Sequence, residues 1–140
     1  CAVTLVESEG TKADWLARAT AGSPNVCVVA DRSETLARDT RESWDVVTAR
    51  AGGALPVVME LAAPLLALGG TLVAWRGEPV AGENEAAATA GRELGLTHSA
   101  SVAVTPFPGA RRRIELWAKS APTPARFPRR PGRAAKRPLA

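Results

Sequence analysis

The 140-residue chain is 46% hydrophobic and 23% charged, a balance that suits one folded domain and excludes a disordered polymer. No apolar run reaches the roughly 18 residues of a membrane span, and the longest candidate, 61–75, is broken by Pro64 and by Gly69-Gly70. The net charge of +4 is lopsided: residues 106–140 carry ten basic side chains against Glu115 alone, a basic end on an acidic body that points to a nucleic-acid partner.

The chain opens on Cys1 and runs at once into an apolar, β-branched strand over 2–7 that ends on Glu7, so it looks like a fragment of something longer, or a chain trimmed at its start. A helix over 11–21 puts Trp15, Leu16 and Ala19 on one face and stops at Gly22-Ser23-Pro24-Asn25. A second strand, 26–30, contains Cys27, which is expected to be a small buried hydrophobe. Ser33 opens a short helix to residue 38 with Glu34 in its first turn, and 44–49 is the third strand. Pro56 near its start marks a helix over 55–67, with Leu68-Gly69-Gly70 as its stop. A strand over 71–76 and an alanine-rich helix over 83–95 follow.

The alternation then changes. Residues 97–105 and 111–118 are two strands joined by Pro106-Phe107-Pro108-Gly109-Ala110, too short for a crossover helix, so they pair antiparallel. From residue 120 proline and arginine dominate, which predicts an extended basic arm over 120–140 behind an α/β domain over 1–119. Continuous apolar strands separated by helices predict a mostly parallel sheet covered on both faces.

Cys1, Cys27 and the single His98 supply neither a disulfide framework nor a metal-ligand set, and His98 reads as a surface residue at a strand start. The N-terminus has neither the basic segment nor the cleavage site of a secretion signal, so the expected compartment is the cytoplasm. Open α/β sheets bind ligands beyond the carboxyl ends of their strands. Those exits hold Glu7, then Asp31-Arg32-Ser33-Glu34, then Arg50, then Arg76-Gly77-Glu78. A carboxylate at the Glu7 position can accept both hydroxyls of a ribose, Ser33 and Glu34 are placed to hold an adenine, and the Arg50 guanidinium suits a carboxylate or a phosphate.

Several blocks carry a resemblance. Trp44-Asp45-Val46-Val47-Thr48-Ala49-Arg50-Ala51 resembles the "FDVVTSRA" block of the 16S rRNA guanine-N7 methyltransferases, the RsmG or GidB family. Leu5-Val6-Glu7-Ser8 with Lys12 and Trp15-Leu16 is similar to that family's strand-to-helix segment after its cofactor loop, and 68–78 to its "GGRLLALKG" strand. The tail over 127–139 resembles its "YPRRPGxPxKxPL" ending. The resemblance implies a Rossmann-like class I methyltransferase sheet with S-adenosylmethionine as cofactor. The product implied is 7-methylguanosine in the 530 loop of 16S rRNA, within the small ribosomal subunit. It places cofactor contacts on Glu7, Ser33, Glu34 and Arg50, with Arg50 also the catalytic candidate and no metal. RNA contacts are expected at Arg76, Arg129, Arg130, Arg133, Lys136 and Arg137.

The family's first strand and its glycine-rich loop precede the segment matched by residues 2–7. That strand would lie between the strands at 2–7 and 44–49, so the 140 residues alone are expected to bind cofactor weakly or not at all, with two open sheet edges. Two other readings stand beside this one: an RNA- or ribosome-binding module without catalysis, and a nicotinamide-dependent oxidoreductase. The second would require a further parallel strand and a catalytic Tyr-Lys or His, and the chain has no tyrosine.

Overall fold

The computed structural model describes residues 1–50, 53–78 and 80–139. In chain order these form β1 (Val3–Val6), α1 (Gly10–Ala19), β2 (Val26–Val29), α2 (Ser33–Asp39), β3 (Trp44–Arg50) and α3 (Leu55–Ala62). Then come β4 (Leu66–Arg76), α4 (Glu83–Leu94), β5 (Leu96–Val104), β6 (Arg112–Lys119) and the single turn α5 (Arg133–Lys136). The predicted alternation therefore holds to α4, and β5 and β6 pair antiparallel as expected. β6 is inserted between β4 and β5, giving the order β3-β4-β6-β5 with β3 and β4 parallel.

β1 and β2 form a separate parallel pair. A single sheet carrying both Glu7 and Arg50 is thus not what these residues build. Within the described chain no strand bridges β1 to β3, and the division falls where the resemblance puts a strand that this sequence does not contain.

The end of α3 also differs from the sequence reading. The helix stops at Ala62 and a turn through Pro64, closed by the Leu65 N–H on the Ala62 carbonyl at 3.0 Å, leads into a long β4. Gly69-Gly70 lies inside that strand rather than ending the helix, at a bulge where the register with β3 shifts. Gly69 has φ +82°, and a Cβ on Gly70 would sit 2.9 Å from both the Asp45 and Ala67 carbonyl oxygens. Only glycine lets the two backbones approach so closely.

One face of the four-stranded sheet, with Leu72, Ala74, Leu96 and Trp117, meets α3 and α4 in the main core. α3 is apolar almost all round and is buried along nearly its whole length, as befits a helix enclosed on every side. The opposite face is not covered by the described helices as the sequence predicted. Trp75 pairs in register with Ile114 and Ile114 with Val102, and Trp75 and Val102 remain 48% and 45% exposed. Cys27 is likewise exposed, because β2 packs in a thin two-stranded layer rather than a covered sheet.

The largest correction concerns residues 120–140, which are not an extended arm without a core. Phe127 is 2% exposed and joins the core, and Thr123 and Ala134 are buried as well. The reason is electrostatic as much as hydrophobic. The Arg41 guanidinium donates to the carbonyls of Thr123, Pro124 and Phe127. The fully buried Lys119 ammonium spends its three N–H donors on Glu42 (2.9 Å), the Ala63 carbonyl (2.6 Å) and the Thr123 hydroxyl. A charged group out of water is tolerated when each donor is matched in this way.

Candidate functional site

β1 and β2 run side by side with Val6 opposite Val29, so their exits open next to each other. Glu7, just past β1, donates its backbone N–H to the Val29 carbonyl at 3.1 Å, which ties the two exits together. Its carboxylate is half-buried, and Oε1 accepts the Glu9 N–H at 2.8 Å, orienting the group at the start of α1. The structure therefore brings Glu7 together with the segment that leads to Ser33 and Glu34.

Ser33 and Glu34 begin α2, and their side chains part company. Ser33 is half-buried, while Glu34 is 6% exposed and its Oε1 accepts the Gly132 N–H at 2.9 Å. The Glu34 carboxylate is thus engaged with the C-terminal segment.

Arg50 ends β3 with its side chain exposed, and it is in register with Trp75 of the neighbouring strand. Of the small-residue loop that follows it, Ala51 and Gly52 lie outside the described residues. The far side of that loop is pinned by Glu83 at the head of α4. Glu83 accepts from the Arg76 guanidinium, from Arg113 at 2.7 Å and from the Leu55 N–H at 3.3 Å, while Arg76 also reaches the Gly53 carbonyl. Burial raises the Glu83 carboxyl, but the donors from Arg76, Leu55 and Arg113 outweigh it and hold the group below its ordinary value of 4.5. Arg76 is consequently a brace between Gly53 and the head of α4, with only 14% of its side chain exposed.

The expected RNA contacts divide in the same manner. Arg129 grips the buried Glu60 with a forked pair, Nε to Oε1 at 2.6 Å and a second N–H to Oε2, and donates a further N–H to the Arg137 carbonyl at 2.8 Å. Its charged form is favoured beyond the ordinary range by that carboxylate. Arg130, Arg133, Lys136 and Arg137 have exposed side chains. Sequence reasoning missed Arg41, Glu42, Glu60, Glu83 and Lys119. The signal was there in Glu60, a carboxylate amid the apolar run 55–66, and in the charge of Lys119 directly after Trp117-Ala118.

The family model described as rRNA small subunit methyltransferase G matches residues 1–111. The chain belongs to that family. A ribosomal RNA small subunit methyltransferase G of Chloroflexus aggregans is 43% identical over 98% of this chain and 59% of its own length. That of Rubrobacter xylanophilus is 40% identical over 98% of this chain and 56% of its own. The chain thus spans a little over half the length of these curated relatives. Among solved structures, the Methanococcus jannaschii fibrillarin pre-rRNA processing protein superposes with a TM-score of 0.67 at 13% identity, covering 86% of this chain and 56% of that one. The fold is accordingly the Rossmann-like sheet of class I methyltransferases, with β6 inserted antiparallel. Among the described residues no helix is long and apolar enough to cross a membrane, and no group of His, Cys, Asp or Glu could hold a metal ion.

Proposed function

We propose that this chain is the larger part of an S-adenosylmethionine-dependent enzyme that methylates guanine N7 in the 530 loop of 16S rRNA, in the cytoplasm. The observation that carries the reading is the pairing of family membership with the adjacent exits of β1 and β2, which Glu7 joins through its N–H on the Val29 carbonyl, four residues before Ser33. The residues present suit a nucleoside. Glu7 Oε1 is oriented by the Glu9 N–H, which leaves Oε2 to accept from ribose hydroxyls. The Ser33 hydroxyl serves the adenine edge. Glu34, the second expected adenine contact, acts there through its backbone, because its carboxylate is committed to Gly132. Arg50 is the group that meets the methionyl carboxylate or a substrate phosphate, with a fork suited to either.

When bound, the cofactor supplies an electrophilic methyl group on a sulfonium. Guanine N7 carries a lone pair and no proton, so its attack on that methyl calls for no general base from the chain. The strand exits hold no histidine or cysteine, and of their carboxylates Glu7 is oriented by the Glu9 N–H and Glu34 is bound to the Gly132 N–H. The work left to the protein is alignment and exclusion of water, which is worth about 7–11 kcal/mol in the best intramolecular cases. N7 is reachable in a single-stranded loop and hard to reach in the deep groove of an RNA helix.

The test is transfer of a labelled methyl group to 16S rRNA by the enzyme at the full length of its relatives, with the product mapped by chain cleavage at 7-methylguanosine. Cleavage in the 530 loop is the expected result, and methylation elsewhere or none overturns the reading. The 140 residues alone are expected to bind S-adenosylmethionine weakly or not at all by calorimetry.

A further inference from the structure

Four arginines of the C-terminal segment, Arg126, Arg129, Arg130 and Arg133, line one open depression of about 460 Å³. Collecting four guanidiniums costs repulsion, and a disordered tail would disperse them. Here they are held in place. Arg41 fixes the carbonyls of Thr123, Pro124 and Phe127, the Phe127 ring is sunk in the core, Arg129 is forked on Glu60, and the Gly132 N–H is on Glu34. A turn closed by the Arg133 N–H on the Arg130 carbonyl at 2.9 Å sets the spacing of those two side chains.

The four are not equivalent. Arg129 is neutralised by Glu60, and Arg126 shares its charge with Glu93 at 3.1 Å in an exposed pair. Arg130 and Arg133 are exposed, and among the described residues neither is matched to a carboxylate. The depression thus has two uncompensated guanidiniums on an anchored segment, with the paired Arg126 also in its lining.

We propose that this depression binds consecutive phosphodiesters of an RNA strand, with Arg130 and Arg133 as the main contacting residues, Arg126 as a secondary contact and Arg129 as a positioning residue. Guanidinium forks match phosphate oxygens, and contacts of this kind fix an RNA without reading its sequence. The proposal rests on the reading that RNA is the substrate. It departs from the sequence expectation by adding Arg126 and by withdrawing Arg129 from direct contact.

The experiment uses the enzyme at the full length of its relatives and a labelled single-stranded RNA oligonucleotide, with affinity measured across a salt series. The variant R130Q/R133Q is compared with K12Q/R18Q, an equal loss of charge from the exposed face of α1. On single strands the log–log salt slope is about −0.7 per phosphate engaged, so losing two contacts flattens it by about 1.4. R130Q/R133Q is expected to show that change with a loss of affinity of roughly tenfold at low salt, while K12Q/R18Q stays near wild type. Both variants should melt at the wild-type temperature, since all four side chains are exposed. An unchanged slope in R130Q/R133Q, or an equal loss in both variants, overturns the proposal. Tight saturable binding of inorganic phosphate, with RNA affinity unchanged in R130Q/R133Q, overturns it in favour of a small-anion site. A flattened slope without N7 methylation by the full-length enzyme removes the methyltransferase reading and keeps the depression. N7 methylation with an unaltered slope does the reverse.

Discussion

The Glu34 carboxylate accepts the Gly132 N–H at 2.9 Å, joining the mouth of β2 to the C-terminal segment across 98 positions of sequence. Both elements belong to surfaces expected to act on ligands, one on a nucleoside and the other on RNA. A bond between them means that the segment's position is set at the mouth. Glu34→Ala leaves a donor without its partner and is expected to cost about 1–2 kcal/mol, whereas Glu34→Gln retains an acceptor and should cost less. Amide hydrogen exchange at Gly132 is the direct readout: faster exchange in the alanine variant only is the expected pattern, and wild-type exchange in both would show that the bond is not maintained in solution.

The same anchoring changes what a truncation reports. A chain ended before residue 120 loses Phe127 from the core and leaves Glu60, 1% exposed, without its guanidinium. A carboxylate stripped of its partner in such a place is strongly destabilising, by about 3–5 kcal/mol, and so is emptying an aromatic site, as in Phe127→Ala, by a similar amount. Urea unfolding should show both single changes, Phe127→Ala and Arg129→Ala, lowering the midpoint with little change in slope. Deletion of the segment is expected to unfold much of the domain, so a loss of RNA binding on truncation would say nothing about contact.

Glu42 and Glu83 set a pH dependence. Burial raises the Glu42 carboxyl, but the Thr123 N–H and the Lys119 ammonium outweigh it, and both carboxyls end below their ordinary value of 4.5. A carboxylate whose folded value is depressed contributes stability that is present above its unfolded value and lost as the pH falls through the folded one. Stability should therefore decline as the pH falls below about 4.5. Lys119 works against its own pair at the alkaline end. Burial lowers it despite the pull of Glu42, so its charge carries a cost that eases as the pH rises toward its ordinary 10.5. Urea midpoints of wild type and Glu83→Gln between pH 3 and 7 test the acid limb (~pH 3–7 spans the ordinary carboxylate range). The variant should show a shallower acid decline, and an identical profile would count against Glu83.

The order of elements was legible because strand and helix alternate with clear apolar periods, and the hairpin was legible because 106–110 is too short to cross a sheet. The strand ends were legible in the same way, with Glu7 just past β1, Ser33 opening α2 and Arg50 ending β3, but not the separation of the β1-β2 pair from the sheet that holds β3. The tail was misread for a physical reason. Its proline and arginine content describes a segment that cannot build a core of its own, and says nothing of one completed by Arg41, Glu34 and Glu60 from far along the chain. Such long-range ion pairs leave no periodic trace.

Gly95 shows how tightly that segment returns. It ends α4 with φ +75°, and a Cβ there would lie 2.2 Å from the Ala121 carbonyl oxygen. The Gly95 carbonyl in turn accepts the Ser120 and Ala121 N–H groups at 2.9 and 3.2 Å. Alanine would combine left-handed strain, of order 1–3 kcal/mol, with a clash against backbone that has no rotamer to escape into. Gly95→Ala is expected to lower stability by at least about 2 kcal/mol in denaturant unfolding followed by tryptophan fluorescence. A neutral result would mean that β6 and the segment after it are free to shift.

Arg50→Ala separates a working arginine from an ordinary polar strand end. Its side chain is exposed at the tip of β3, so removing it takes nothing from the core, and the melting temperature should stay at the wild-type value. If Arg50 orients the methionyl carboxylate or a phosphate, methyl transfer by the full-length enzyme should fall by about 100-fold or more, the scale of losing one charge-stabilising donor. A fall confined to KM for S-adenosylmethionine would place the guanidinium on the cofactor, and one confined to KM for RNA would place it on the substrate. Arg76→Ala should behave differently: its loss releases Glu83 and the Gly53 carbonyl, so stability should drop along with activity. Were Arg50→Ala to methylate at the wild-type rate, the guanidinium would be no more than a solvated strand end, and catalysis would have to be assigned to another exit of the sheet.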